Sequence, residues 1–352
     1  LAEINLNMLR ERADKLDEID STKWNLVNKE NRELVEEYLK VNNQLSKKTY
    51  RAYLSCLRQF FYFVYTTLND KVFYKISKRD FMKYMSYNQE RGLSSSAIGI
   101  RKSCVSSFCN YIENVVMDDV PEYKGFRNFT RGMPSISKNQ VYNKIKITED
   151  EYKLMIKYLE EKKDYLALAW VATAFNVGSR RAEIIQFKTE IVNYTIPEGQ
   201  NYVLSHIVRG KGKSVDGKPL LYMINFDALK YMKLWVDNRG YESEYIFAVK
   251  YNKKINHIAE GWANDLCQNV LSPICGRRIN PHLFKSSCIT FLLEQGIDLK
   301  IVSKYVAQHN DTATTSNFYD LRDFEEEKNN IFPAKKVEII KDEEIQSESP
   351  KE

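Results

Sequence analysis

Four polar stretches carry residue types that can hold an anion or move a proton. "GSRRAEII" sets Arg180 and Glu183 three residues apart, directly after an apolar run. "VRGKGKS" places Lys211 between two glycines, and "HLFK" puts His282 and Lys285 one helical turn apart. "VAQHNDTATTSNFYD" begins with His309 close behind and ends near Tyr319, ten residues beyond that histidine. Each stretch alone has an ordinary reading. An Arg–Glu pair at i,i+3 is commonly a surface ion pair. A lysine between glycines is a solvated turn, and His-x-x-Lys at a helix start is a capping arrangement. One tyrosine among 23 says nothing by itself.

As an ordered set they say more. Arg-x-x-Glu, Gly-Lys-Gly, His-x-x-Lys, His and then Tyr resembles the catalytic domain of the tyrosine recombinases, the phage-integrase family. The resemblance runs from about Ser46 to Tyr319, and "LSKKTYRAYLSCLRQFFYF" is similar to the opening helix of that family's core-binding domain. It implies a mainly α fold with a small β-sheet, in two domains: a helical core-binding domain and a mixed α/β catalytic domain.

The resemblance also implies a site-specific recombinase that cleaves and rejoins DNA through a 3′-phosphotyrosyl link. Metal-free cleavage of a phosphodiester requires a nucleophile, neutralisation of the nonbridging oxygens, and an acid for the leaving oxygen. Tyr319 would be the nucleophile, Arg180 the bidentate phosphate clamp, and Glu183 its support. Lys211 would be the general acid, a task suited to an amine whose pKa falls in a cationic, desolvated setting. His282 would bond the phosphate and help take the phenol proton, and His309 would donate a second bond. No cofactor and no metal is expected.

One position departs from the family pattern, which is His-x-x-Arg where this chain has Lys285. Lysine keeps the charge and loses the planar fork. Losing a directed, charge-assisted bond of roughly 1.5–3 kcal/mol would slow the reaction about ten- to a hundredfold. Three explanations stand side by side: a native and adequate lysine, a slow relative, or an engineered trap. A DNA-binding repressor or architectural protein on the same fold is the alternative function.

The elements that must position these groups divide the chain. Residues 1–45 read as an N-terminal helical appendage and residues 46–120 as the core-binding domain. Ser46, Ser77 (with Asp80) and Ser94 mark helix starts, and Tyr50, Tyr53, Leu54, Leu57, Phe60, Phe61 and Val64 form a 3.6-residue apolar stripe. Residues 121–147 lose helical period and are one-signed, a basic linker suited to a polyanion. The catalytic domain spans 148–332: a capped helix at Thr148, a buried helix ending at Gly178, and strands around Gly210 to Gly217. Helices return from Phe226 on. Residues 333–352 are a tail expected to dock on a neighbouring protomer.

Bulk properties are compatible with this. The 352 residues suit about two domains, and a net charge of +6 with pI ≈ 8.7 permits a nucleic-acid partner. Candidate phosphate contacts are Lys47, Lys48, Arg51, Lys102, Lys124, Arg127 and Arg131. Six cysteines without a CxxC pair argue against zinc. The longest apolar run is too short to span a bilayer, and no signal peptide is visible, so a cytoplasmic protein is expected. The chain opens on Leu, so a natural start upstream is expected too. Partners implied by the resemblance are double-stranded DNA, further copies in a tetramer on paired sites, and an accessory directionality protein.

Overall fold

The computed structural model describes residues 5, 8–9, 11, 13, 17–42, 46–134, 136, 142–212, 217–259, 261–322 and 324. The tail 333–352 and the loop residues 213–216 lie outside the described residues. Mainly helical structure with small antiparallel strands is observed, as expected.

Caps set the helix starts in the first half. After α1 (Ser21–Asn25) and α2 (Lys29–Val41), the Ser46 hydroxyl accepts from the Thr49 amide at 3.2 Å and opens α3 (Lys47–Thr67). Ser77 and Asp80 close a reciprocal capping box at the head of α4 (Lys78–Glu90), and Ser94 caps α5 (Ser95–Tyr111). A π turn over Ile112–Val116 continues α5 into the short α6 (Met117–Asp119). Within the apolar stripe, Leu57, Phe60, Phe61 and Val64 are fully buried while Tyr50 stays exposed. They pack on an aromatic cluster in which the Phe73 and Phe108 rings are 4.9 Å apart. Trp24, Val35 and Tyr38, from the segment read as an appendage, lie in this same core.

A second core organises the other half. Thr148 and Glu151 form the capping box of α7 (Glu149–Lys162). Helix α8 (Tyr165–Val177) is apolar on all sides and sits centrally, packed by α7, α10 (Phe226–Asn238) and α13 (Pro281–Glu294). It stops at Gly178, whose φ of +65° glycine adopts without penalty. A Cβ there would also come within 2.9 Å of Val306 and 3.1 Å of Cys288. The chain then turns sharply into the four-residue α9 (Arg181–Ile184).

The expected small sheet is found as separate two-stranded ribbons. Strand β1 (Tyr202–Leu204) pairs with β4 (Met223–Asn225), and β2 (Val208–Gly210) with β3 (Lys218–Leu220), all antiparallel. A third ribbon, β5 (Ala248–Tyr251) with β6 (Lys254–His257), interrupts the helices expected after Phe226. Every residue of β6 is exposed, so no apolar alternation marked it in the sequence. After it come α11 (Trp262–Leu266), a π turn, α12 (Ser272–Cys275) and α13; then α14 (Leu299–Ile301), a second π turn, and α15 (Thr312–Phe318). Ile289, Leu293, Val302, Ala307 and Tyr319 form a small third cluster that seats α15 on α13. Among the described residues no helix is long and apolar enough to cross a membrane.

Candidate active site

The turn after α8 delivers Arg180 as the residue capping α9. Its backbone amide donates to Glu183 Oε2 at 2.7 Å, and its Nη1 donates to Oε1 at 3.0 Å. The Tyr222 hydroxyl donates to Oε2 at 2.5 Å. Glu183, almost fully buried, is therefore held by three donors. A buried carboxyl group needs its oxygens satisfied by such donors, so this is no surface ion pair. Burial works against the charge on Arg180, but Glu183 and then the Tyr319 hydroxyl outweigh it and raise its pKa.

Helix α13 begins at Pro281, with the Asn280 side chain accepting from the Leu283 amide at 3.2 Å. Two side chains of its first turns face the same hollow. The His282 ring centroid is 5.1 Å from that of Tyr319. Lys285 is wholly buried, with Nζ donating to the Ala307 carbonyl at 2.8 Å and standing 5.9 Å from the Tyr319 ring centroid. Burial, then the Arg180 charge, pushes the Lys285 pKa down to about 7. His282 is pushed down to about 4 by burial, then by Lys144, Arg180 and Lys285.

His309 follows Gln308, itself at a φ of +58°. Its Nδ1 is 2.8 Å from Thr315 Oγ1, which donates onward to Ser303 Oγ at 2.9 Å. With its proton so committed, Thr315 accepts from Nδ1–H, leaving the Nε2 lone pair toward Arg180 Nη2 at 3.5 Å. Burial, then Lys285, Arg180 and Lys218, pushes His309 to about 4.

Tyr319 caps the end of α15, its amide donating to the Thr315 carbonyl and its carbonyl accepting from Thr290 Oγ1, both at 3.0 Å. Its ring centroid is 4.6 Å from that of His309. The structure thus brings Arg180, Glu183, His282, Lys285, His309 and Tyr319 together in one hollow. It does not bring Lys211 among them. That lysine stands on an exposed turn just past β2. Its two glycines are sterically required: a Cβ at Gly210 would meet Leu220 at 2.3 Å, and one at Gly212 the Lys218 amide at 2.6 Å.

Three contributors were not singled out in the sequence. Lys218 donates from β3 to the Gln308 carbonyl at 3.0 Å and to Asn310 Oδ1 at 2.6 Å, tying the ribbon to the His309 loop. Tyr222 orients Glu183. Lys144, in the basic linker, donates to the carbonyl of Phe318, the residue before Tyr319. The ribbon's excess of basic residues was a signal for Lys218, but nothing local marked Tyr222.

The candidate DNA contacts divide. Lys48, Arg51, Lys124 and Arg127 are exposed and Lys102 is half-buried, whereas the Lys47 side chain lies outside the described residues. Arg131 is occupied: its guanidinium pairs with the nearly buried Glu113 at 2.7 Å and donates to Asn110 at 3.2 Å.

The fold is a helical N-terminal domain followed by a mainly helical domain with small strands, and comparison gives it a family. The phage integrase family model matches residues 146–326, and that of the phage integrase N-terminal SAM-like domain matches residues 34–114. The chain belongs to the phage integrase family, the tyrosine recombinases. It is 56% identical over 330 residues to the SPbeta prophage-derived recombinase-like protein YomM of Bacillus subtilis (strain 168), covering 94% of this chain and 98% of that protein. It is 23% identical over 314 residues to the tyrosine recombinase XerA of Pyrococcus horikoshii, covering 88% and 96%. In fold it is similar to a lambda integrase dimer bound to a COC′ core site (TM-score 0.61, 14% identity, 88% and 80% coverage). It is also similar to the XerH recombinase bound to a palindromic difH substrate (TM-score 0.59, 17% identity, 84% and 83% coverage).

Proposed function

We propose that this protein is an active site-specific recombinase that integrates, excises or resolves a mobile element. Tyr319 attacks the scissile phosphorus, forming a phosphotyrosyl bond to the 3′ side as the bond to the 5′ oxygen breaks. The phenol proton passes to His282, neutral above about pH 4 in the free protein, and Lys211, which must swing in from its exposed turn when DNA binds, protonates the departing 5′ oxygen. Reversal of these steps reseals the strand, and the phosphotyrosyl bond conserves the energy needed.

Arg180 and Lys285 offset the charge on the nonbridging oxygens, with Glu183 and Tyr222 holding Arg180 in place. As the phosphate enters, its charge favours protonation of His309, whose Nε2 then donates rather than accepts. Outside the hollow, Lys48, Arg51, Lys102, Lys124 and Arg127 contact backbone phosphates of the duplex, giving steeply salt-dependent binding. Further copies assemble into a tetramer on paired sites, aided by a directionality protein. The domain limits given above, with the tail docking in trans, belong to this reading.

The observation that carries it is the single-chain grouping of Tyr319, both histidines and both cations. A repressor needs no such group, and an abandoned site would not keep a lysine fully buried at a cost in stability. Support for a mobile-element role comes from YomM, whose name describes a prophage-derived recombinase-like protein. The test is covalent capture: incubate the protein with a pool of nicked duplexes with a randomised core and run a denaturing gel. Wild type should shift labelled DNA and Tyr319→Phe should not; specific binding with no adduct would favour a repressor.

A further inference from the structure

Residues just ahead of α7 are pinned to the catalytic helix from several sides. The Ile147 amide donates to Ser287 Oγ at 2.7 Å, and Lys146 pairs with Glu294, both acceptors lying on α13. Arg277 grips Glu151 with two bonds of 2.6 and 2.7 Å, and donates to the Lys146 carbonyl at 2.7 Å and the Ile145 carbonyl at 3.3 Å. Such fork bonds fix both direction and place. Lys144 is the next residue out, so the exit of the basic linker is held where this lysine must meet the hollow. Its Nζ lies 3.5 Å from the carbonyl of Phe318, the residue before Tyr319.

We propose that Lys144 is a further phosphate-binding residue of the catalytic pocket, a cation carried into it by the interdomain linker. This rests on the recombinase reading and adds a group to it. After burial, the charges of Lys144 from the linker, Arg180 from the cap of α9 and Lys285 from its own helix all disfavour a proton on His282, whose ring centroid is 5.1 Å from that of Tyr319. Lys285 is wholly buried and spends a donor on Ala307, so its charge sits behind the ring. Lys144 is exposed, so a phosphate can reach it directly from solvent. Converging like charges raise the energy of the empty pocket, and an anion between them relieves it. Because the linker also joins the two domains, the contact would tie closure on DNA to completion of the site.

The test uses inorganic phosphate and histidine-labelled full-length protein, so it needs no knowledge of the target site. Nuclear magnetic resonance follows His282 through a pH titration and through a phosphate titration at pH 7. Removing the nearby charge with Lys144→Gln should move the His282 midpoint upward from about 4, by roughly half a pH unit. It should also weaken phosphate binding about tenfold, as loss of one charge-assisted contact does. Lys144→Arg should keep both within about twofold of wild type. If Lys144→Gln leaves either the midpoint or phosphate affinity unchanged, the proposal is overturned. Covalent capture by wild type, run alongside, reports on the recombinase reading separately: an adduct undiminished in Lys144→Gln would remove this residue and leave that reading standing.

Discussion

Tyr319 and Arg180 meet on either side of His309 within a single chain: the Tyr319 and His309 ring centroids are 4.6 Å apart, and His309 Nε2 is 3.5 Å from Arg180 Nη2. The two side chains reach this point from different directions. Arg180 comes off the glycine-ended helix α8, and Tyr319 off the end of α15, seated on α13 by the small apolar cluster. A phenol, with an ordinary pKa of about 10, is a poor nucleophile at neutral pH. The groups beside it are two imidazoles, with ring centroids 5.1 Å (His282) and 4.6 Å (His309) from that of Tyr319.

Tyr222 is expected to act through Glu183 and Arg180. Tyr222→Phe removes a 2.5 Å bond to a buried carboxylate, which should lower stability by about 1–3 kcal/mol. Single-turnover cleavage should fall roughly tenfold with DNA affinity nearly unchanged. Chemical denaturation and a covalent-adduct time course read the two effects. Full-speed cleavage would show that Glu183 does not need this support.

Lys285 should make stability depend on pH. Its folded-state pKa is depressed to about 7, against about 10.4 in the unfolded chain. Between those values the unfolded chain binds the extra proton, so stability rises with pH across that window and the penalty is fullest below it. Lys285→Met should raise Tm at pH 6 by on the order of 5 °C and flatten the pH dependence. Equal Tm profiles for both proteins from pH 6 to 9 would contradict this.

The missing arginine fork has its own test. Lys285→Arg should accelerate cleavage about tenfold by adding a directed bond to the phosphate. The measurement is single-turnover adduct formation at saturating DNA. A slower variant would mean that the pocket, with Lys285 wholly buried against Ala307, is shaped for lysine.

Lys211 stands on the exposed turn of the β2–β3 ribbon, and its assignment as general acid predicts a selective loss. Lys211→Ala should slow cleavage of ordinary DNA by 10²-fold or more, the usual scale of acid catalysis. A substrate with a 5′-thio leaving group needs little protonation and should be cleaved almost normally. Equal losses on both substrates would remove the assignment.

Much of this site was legible in the sequence because its residue types are rare and ordered. Four histidines among 352 residues leave few places for a paired imidazole site. Helix starts were equally plain where Ser46, Ser77 and Thr148 cap them. What could not be read was long-range orientation. The Arg180–Glu183 spacing also fits a surface pair, and only Tyr222, 39 residues on, shows the carboxylate to be buried. Lys144 could be counted as linker charge, but its seat beside Phe318 depends on Arg277, more than a hundred residues away in the sequence. Strand β6 was missed because exposure of all its residues removes the alternation that marks a strand.

If Tyr319 becomes joined to DNA, mass spectrometry of the trapped adduct shows it most directly. After nuclease and protease digestion, the peptide containing Tyr319 should carry a 3′-linked nucleotide, with a free 5′-hydroxyl on the released strand, and Tyr319→Phe should yield none. An adduct on another residue, a 5′-linked nucleotide, or adduct formation persisting in Tyr319→Phe would contradict the account.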